Sequence, residues 1–471
     1  MPEPIRKLIA PFASLRLTVV VLALLMLLIF FGTWAQRTRG IWWVMDEYFT
    51  SWGLWVPFDI FAPVGKTIGG AIPFPGGATL GLVMLINLLA AHSMRFKLKA
   101  RGLRLVLGTL VTLIGAAIIV WFQSWGVITP LKASVGVAAM LAVGFVAYLP
   151  ALVGAYLLFG KRFGIVLIHL SLILLIVGEG VTRSSAVETQ MPIYEGQTLQ
   201  WSHDIREAEL AVIAPREDGE VTERVIVFPQ AMLEAAAVTG KPLTHPELPF
   251  DVVVEQWMIN SLMAPYPQGM QPPPDLRGLG RQHALLPRPE ASGVGEQLIN
   301  LPGAMVRILH DGHDHGRYAL STFTMVMGDV YRFLRQDVPM HDGEPWRISL
   351  RFKRYYKPYT FTLLAFHHDL YPGTEIPSNY ASDIRIHHLE TGEQREVKIK
   401  MNHPLRYEGE TFFQSGYIQG DLGTVLQVVR NPGSTMPYIA CALGGIGLLA
   451  HFVISLARHL GKGRDRKAVA A

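Results

Sequence analysis

The stretch Phe163 to Thr182, FGIVLIHLSLILLIVGEGVT, constrains this chain more than any other. It has about the twenty apolar residues that a helix needs to cross a bilayer, and it holds one imidazole, His169, among aliphatic neighbours. Roughly 250 residues of polar, β-patterned sequence follow it, so it joins two chemically different halves.

Similar apolar runs cover about 17–35, 77–94, 104–124, 134–158 and 436–457. The expected fold class is therefore an α-helical membrane protein of about six transmembrane helices, with a large antiparallel β-rich soluble domain inserted before the last helix. The implied domains are a five-helix membrane part (1–182), the β-rich part (183–435), a sixth helix (436–457) and a basic tail (458–471). The first run, Leu17 to Trp34, lacks a small-x-small cleavage site and reads as a retained anchor.

Lysine and arginine set the orientation. They cluster at Arg6, Lys7 and Arg16, from Arg95 to Arg104, at Lys161 and Arg162, and from Arg458 to Lys467. The two short loops on the opposite side hold four: Arg37, Arg39, Lys66 and Lys132. Both termini are then cytoplasmic, and 183–435 lies outside a bacterial inner membrane. The net charge of +5 comes from these flanks, which argues against nucleic acid as a partner. Cys441 is the one cysteine, so the chain has no internal disulfide, no CxxC redox pair and no CxxCH haem-attachment site.

The first outer loop, Trp34 to Gly76, is dense in aromatics, with Trp52 and Trp55 at its centre. It reads as an amphipathic segment in the headgroup layer, or else as an aromatic shelf for a flat apolar ligand. Pro150 is expected to kink or end the fourth span. Alternation predicts strands at 209–214, 224–228, 251–257, 304–309, 347–353, 359–366, 396–401, 411–417 and 424–429, and a helix at 229–238. The Pro-, Gly- and Met-rich stretch 259–302 reads as a mobile insertion or a binding element.

Three histidines fall inside spans: His92, His169 and His451. Counting from Arg95, Arg162 and Arg458 puts all three in the cytoplasmic half, about 5–10 Å from the inner boundary at 1.5 Å per residue. Ionisable groups in lipid are costly and face a cavity or a partner. Neutral imidazole ligates haem iron, and two such groups on facing helices could clamp one haem; the alternative is an interhelical hydrogen bond from each. His310, His313 and His315 in HDGHDH are metal-ligand candidates, set against an exposed turn. In the pairs His367-His368 and His387-His388, one side chain of each must point outward. No nucleophile elbow, Walker loop or HExxH occurs, so an enzyme is not expected.

Three blocks carry a resemblance. GTWAQ spans Gly32 to Gln36, followed by Asp46 and Tyr48, and HLSLILLIVGEG spans His169 to Gly180. The third runs from Asp369 to Gly433, with YPGTEIPSNYASDIRI, then VKIKMNHPLRYEGETFFQSGY, then NPG. Together they resemble the ResB (CcsB) family of system II cytochrome c biogenesis proteins. That resemblance implies a non-enzymatic assembly factor. With a CcsA/ResC-type partner it would carry haem b across the membrane and present it to apocytochrome c, with thiol-reducing factors as further partners. The alternative is a stabilising scaffold that binds no haem. It implies a haem-holding transmembrane histidine, for which His92 is the best positional match and His169 the next; His451 has no such support. ResB proteins typically have three spans before the soluble domain, whereas five are expected here. WGLWVPFD, from Trp52 to Asp59, resembles the Trp-rich haem-presenting motif of the partner but is one residue short.

Overall fold

The computed structural model describes residues 3–469 except 64–65, 96–99, 125–136, 216–222, 292–298, 311, 323–324, 328–329, 333–334, 341–344 and 375–376. In chain order the main helices are α1 (Leu15–Arg39), α2 (Gly77–Arg95), α3 (Leu103–Ser124), α4 (Val137–Phe159), α5 (Phe163–Ser185), α6 (Gln230–Thr239) and α7 (Met436–Val469). The chain divides into two compact units. One comprises 1–35, 43–186 and 431–471; the other comprises 36–42 and 187–430.

Among the described residues, four stretches are long and apolar enough to cross a membrane: Leu15–Arg39, Gly77–Met94, Tyr148–Ser185 and Met436–Leu460. Leu103–Ile119 is apolar but shorter. The expectation of six spans is thus met by four. Spans four and five fall in one apolar stretch, which a single 3₁₀ turn, Gly160–Arg162, divides into α4 and α5. Span three is α3, and of span four only 134–136 lies outside the described residues. Pro150 does not end α4, which runs on to Phe159.

Lipid chains are as apolar as leucine, so these helices pack through small residues that let backbones approach. A Cβ on Gly164 of α5 would lie 2.8 Å from the Gly447 carbonyl oxygen of α7, and one on Gly447 would lie 2.9 Å from the Gly164 carbonyl oxygen. Gly115 of α3 meets the Ala151 backbone in the same way, and Gly154 of α4 meets Thr112. Polar anchoring adds specificity at the start of α1. Asn87 of α2 is buried; it accepts from Thr18 Oγ1 at 2.7 Å and donates to the carbonyls of Phe12 and Ser14.

The first outer loop is not one flat amphipathic segment. Gly53–Pro57 pairs antiparallel with Ala71–Pro75, and alternation along the first strand turns Leu54 and Val56 inward. They join Val21 and Leu28 of α1 and Leu80 and Met84 of α2 in one core with Tyr48. Gly32 of GTWAQ is required there, because a Cβ would lie 2.8 Å from the Phe49 ring.

The β unit contains a ten-stranded sheet. Its spatial order runs through Gln394–Lys400, Pro377–His388, Trp346–Leu370, Thr198–Ile213, Val187–Tyr194, Gly423–Arg430, Glu410–Ile418 and Leu405–Tyr407. Two short strands, Gln336–Val338 and Val225–Pro229, pair on its side. The expected strands at 347–353 and 359–366 are a single 25-residue strand, bent by register shifts after Phe352, Tyr356 and Leu363. One half of the sheet, with α6, packs on a four-stranded sheet that includes Asp251–Met258, Gly303–His310 and His313–Ser321. Around the other half, Tyr359, Phe361, Ile384, Ile399, Phe412 and Leu426 close a second core.

The described part of 259–302 holds more order than an insertion would. Ser261–Pro265 pairs with His283–Pro287, and Met263 and Leu285 pack on Met258 and Ala319. Two small apolar anchors are enough to fold a segment whose composition reads as loop.

Gly164→Leu should lower the stability of the detergent-solubilised chain by roughly 1–3 kcal/mol, the usual cost of overpacking. Gly445→Ala, where a Cβ meets nothing within 4 Å, should leave the thermal midpoint nearly unchanged. Equal midpoints for the two variants would contradict the α5–α7 packing.

Candidate functional site

Depth along a helix is legible from sequence, whereas azimuth is set by packing. The small-residue seam turns one face of α5, with Val166 and Leu167 buried, toward its neighbours and leaves His169 to α2. There it meets His92. The two ring centroids are 5.8 Å apart with planes tilted by 43°, and the Nδ1 atom of each is buried.

His451 shares the estimated depth but not the site. Its backbone nitrogen and Cα pack against Gly164, which leaves its side chain exposed. Trp52 and Trp55 are 68% and 66% exposed on the hairpin. They flank the start of α2, and His92 is about 20 Å further along that helix at 1.5 Å per residue.

In the β unit, His310 and His315 come together with centroids 5.7 Å apart, and His310 Nδ1 contacts the Pro249 carbonyl oxygen. His313 is exposed. Among the described residues no group of three His, Cys, Asp or Glu could hold a metal ion. The neighbouring acids are engaged elsewhere: Arg307 binds Glu255 and Asp314, and Arg317 binds Asp275.

The adjacent histidines alternate as strand geometry requires. His367 is 43% exposed and bonds Asp383 at 2.7 Å, while His368 is 12% exposed and bonds Asp421 at 2.8 Å. His388 is buried near Tyr359 and Tyr407, while His387 is half-buried.

The third sequence block builds this region. Tyr407 packs edge-on to Tyr359 at 4.9 Å, and Phe412 meets Phe361 at 4.6 Å. Glu410 accepts from Lys357 Nζ at 2.5 Å and Tyr359 hydroxyl at 2.6 Å. Burial and that carboxylate hold the Tyr359 hydroxyl protonated far above its ordinary range. Gln414 accepts from Ser382 and donates to Thr424 and the Gly416 carbonyl. Asn431 of the NPG turn accepts from Gly433 N at 2.8 Å and bonds Thr182 at the end of α5.

Sequence reasoning missed His203. It stacks on Phe352, with centroids 5.9 Å apart and planes within 16°, beside Trp201, over which the Arg354 guanidinium sits at 3.8 Å. No strand was expected at 198–208, so nothing in the sequence reading pointed inward there.

The architecture is that of an apolar helical unit joined to an antiparallel β domain, with paired histidines in the helices. Residues 340–425 match the model of the ResB-like family. Over 92 residues the chain is 36% identical to Protein NrfI of Wolinella succinogenes, an alignment covering 20% of this chain and a tenth of that protein. The ResB-like resemblance is therefore shown for this segment of the chain, which includes most of the third block.

Burial pushes His203 down to about 4, and the Arg354 charge acts in the same direction. The folded state thus favours the neutral ring, and the unfolded chain binds the extra proton between its ordinary value of 6.5 and about 4. The stabilisation is present above pH 6.5 and lost as pH falls to about 4, roughly 3 kcal/mol in all. In His203→Phe the slope of unfolding free energy between those pH values should flatten; an unchanged slope would show that this ring is not its source.

Proposed function

We propose that this chain is a non-enzymatic cytochrome c assembly factor that binds haem between α2 and α5, with His92 and His169 as its axial ligands. The observation that carries the reading is the meeting of two imidazoles from separate apolar helices. Iron–imidazole bonds of about 2 Å on each side of one iron put the ring centroids about 6 Å apart, and these rings lie at 5.8 Å. Two ionisable rings facing each other in a hydrocarbon span are costly unless they serve a ligand or a partner.

In this reading, haem is cargo. Each neutral imidazole donates one lone pair to iron, and the apolar walls of the helices take the flat face of the macrocycle. The ResB-like match supports a setting in cytochrome c biogenesis. The work is shared with a CcsA/ResC-type membrane partner, and haem is passed to apocytochrome c kept reduced by thiol-reducing factors. Lysine and arginine placement supports a bacterial inner-membrane location with cytoplasmic termini and an extracytoplasmic β domain. On that orientation the histidine pair lies toward the cytoplasmic side, where haem is taken up.

The purified chain with its partner should show a Soret band that falls by most of its intensity in His92→Ala/His169→Ala, and c-type cytochrome levels should fall with it. Absence of the band in the native complex, with cytochrome levels unaffected by the substitutions, would leave the scaffold role in its place.

A further inference from the structure

Glu179 is an ionisable residue inside an apolar span. It sits in α5 one turn before the apolar stretch gives way to Arg183, Ser184 and Ser185. At 1.5 Å per residue its Cα is about 25 Å beyond Arg162, still within a hydrocarbon layer about 30 Å thick. The residue is exposed, and among the described residues it has neither a hydrogen-bond nor an ionic partner.

The partner that its own helix offers is occupied. A glutamate four residues before an arginine is the favoured order for an ion pair along one helix. Arg183 instead reaches from α5 to Asp46, with Nη2 3.1 Å from Oδ1. A carboxylate facing hydrocarbon is costly, and its two methylenes carry it less far toward the headgroups than the stem of lysine or arginine would.

The side of α5 on which Glu179 stands is not used within the chain. Gly164, Leu167, Ser171 and Gly178 turn toward α7, and His169 faces His92 of α2. Leu172, Leu175 and Glu179, spaced at i, i+3 and i+7, follow one another along a third side, with the two leucines 42% and 36% exposed. Val177 is 41% exposed too, but at 100° per residue it lies roughly opposite this stripe. Alternating steps of three and four residues form the narrow seam by which two helices pack side by side.

Charge selects what lies on the seam. Lipid chains need apolar residues only, whereas a carboxylate at the outer end of the stripe calls for a cation at that depth. A second copy of the chain, packed through the same stripe about a twofold axis along the membrane normal, would set one Glu179 against another. A different helix with a lysine or arginine near its outer end neutralises the carboxylate, and the bias of basic residues toward inner loops makes that feature selective.

We propose that the stripe of Leu172, Leu175 and Glu179 on α5 is the docking surface for a transmembrane helix of a partner protein that carries a lysine or arginine near its extracytoplasmic end. This deepens the assembly-factor reading and rests on it for the membrane orientation and for the identity of the partner.

The experiment uses the full chain co-expressed with its CcsA/ResC-type partner, with p-benzoylphenylalanine in place of Leu175 or of Val177. Irradiation should join the chain to the partner from position 175 and not from position 177. Glu179→Gln should lower the yield from position 175 by at least about tenfold, while Glu179→Asp keeps most of it. The thermal midpoint of the isolated chain should be the same in all three forms, since Glu179 bonds no described residue. Glu179→Lys should abolish the adduct, and an acidic residue at an outer-end lysine or arginine of the partner should restore it. Equal capture from the two positions, or a yield unmoved by Glu179→Gln and Glu179→Lys while the partner still co-purifies, overturns the docking surface and leaves the assembly-factor reading intact. Adducts to lipid alone or to a second copy of the chain overturn it in the same way. A native chain that does not co-purify with that partner overturns the shared work itself and this surface with it.

Discussion

The β unit depends on the pairing of Trp346–Leu370 with Thr198–Ile213. The first strand is 25 residues long and borders both hydrophobic cores: Trp346, Ile348 and Leu350 in one, Tyr359, Phe361 and Leu363 in the other. The two sets differ in parity, so on a flat strand alternation alone would place them on opposite faces. The register shifts after Phe352 and Tyr356 re-aim the side chains, at the cost of ladder pairing in between. Just ahead of the first shift, Arg351 Nε and Glu209 Oε1 pair directly across the strands at 2.9 Å, both almost fully buried. Removing one partner of such a pair strands a charge, so the pair fixes register more than it adds net stability.

Two of the strands that the sequence reading missed carry a polar residue among mainly apolar inward positions. In Val187–Tyr194 one inward residue is Thr189, buried because its hydroxyl reaches Ser202 at 2.8 Å. In Pro377–His388, Ser382 is fully buried and satisfied by Gln414. Alternation counts such residues as outward, although hydrogen bonding makes them good interior residues. HDGHDH was half legible: its turn at Gly312 is real, while the strand resumes at His313, earlier than the polar sequence suggests. The merging of two expected strands into one was invisible because Tyr356, at the bend, is an exposed aromatic in a basic stretch.

Site residues divide along the same line. Distance from flanking basic residues gave the three histidines a common expected level, and two of them, His92 and His169, meet. His451 has the same depth yet points away, because its face is decided by Gly164 and Gly447, which approach only in three dimensions. His368 gave no local signal at all. Its carboxylate partner is 53 residues distant, and a left-handed aspartate cannot be read from a GDLG segment whose glycines already mark a turn.

The two imidazole environments are chemically unequal. His92 and His169 lie in apolar spans, where a neutral ring is a modest donor. His368 is instead held by a carboxylate, with Asp421 Oδ1 2.8 Å from its Nδ1. The two environments thus differ in what orients the ring: a charged partner 53 residues away in the β unit, and helix packing in the spans.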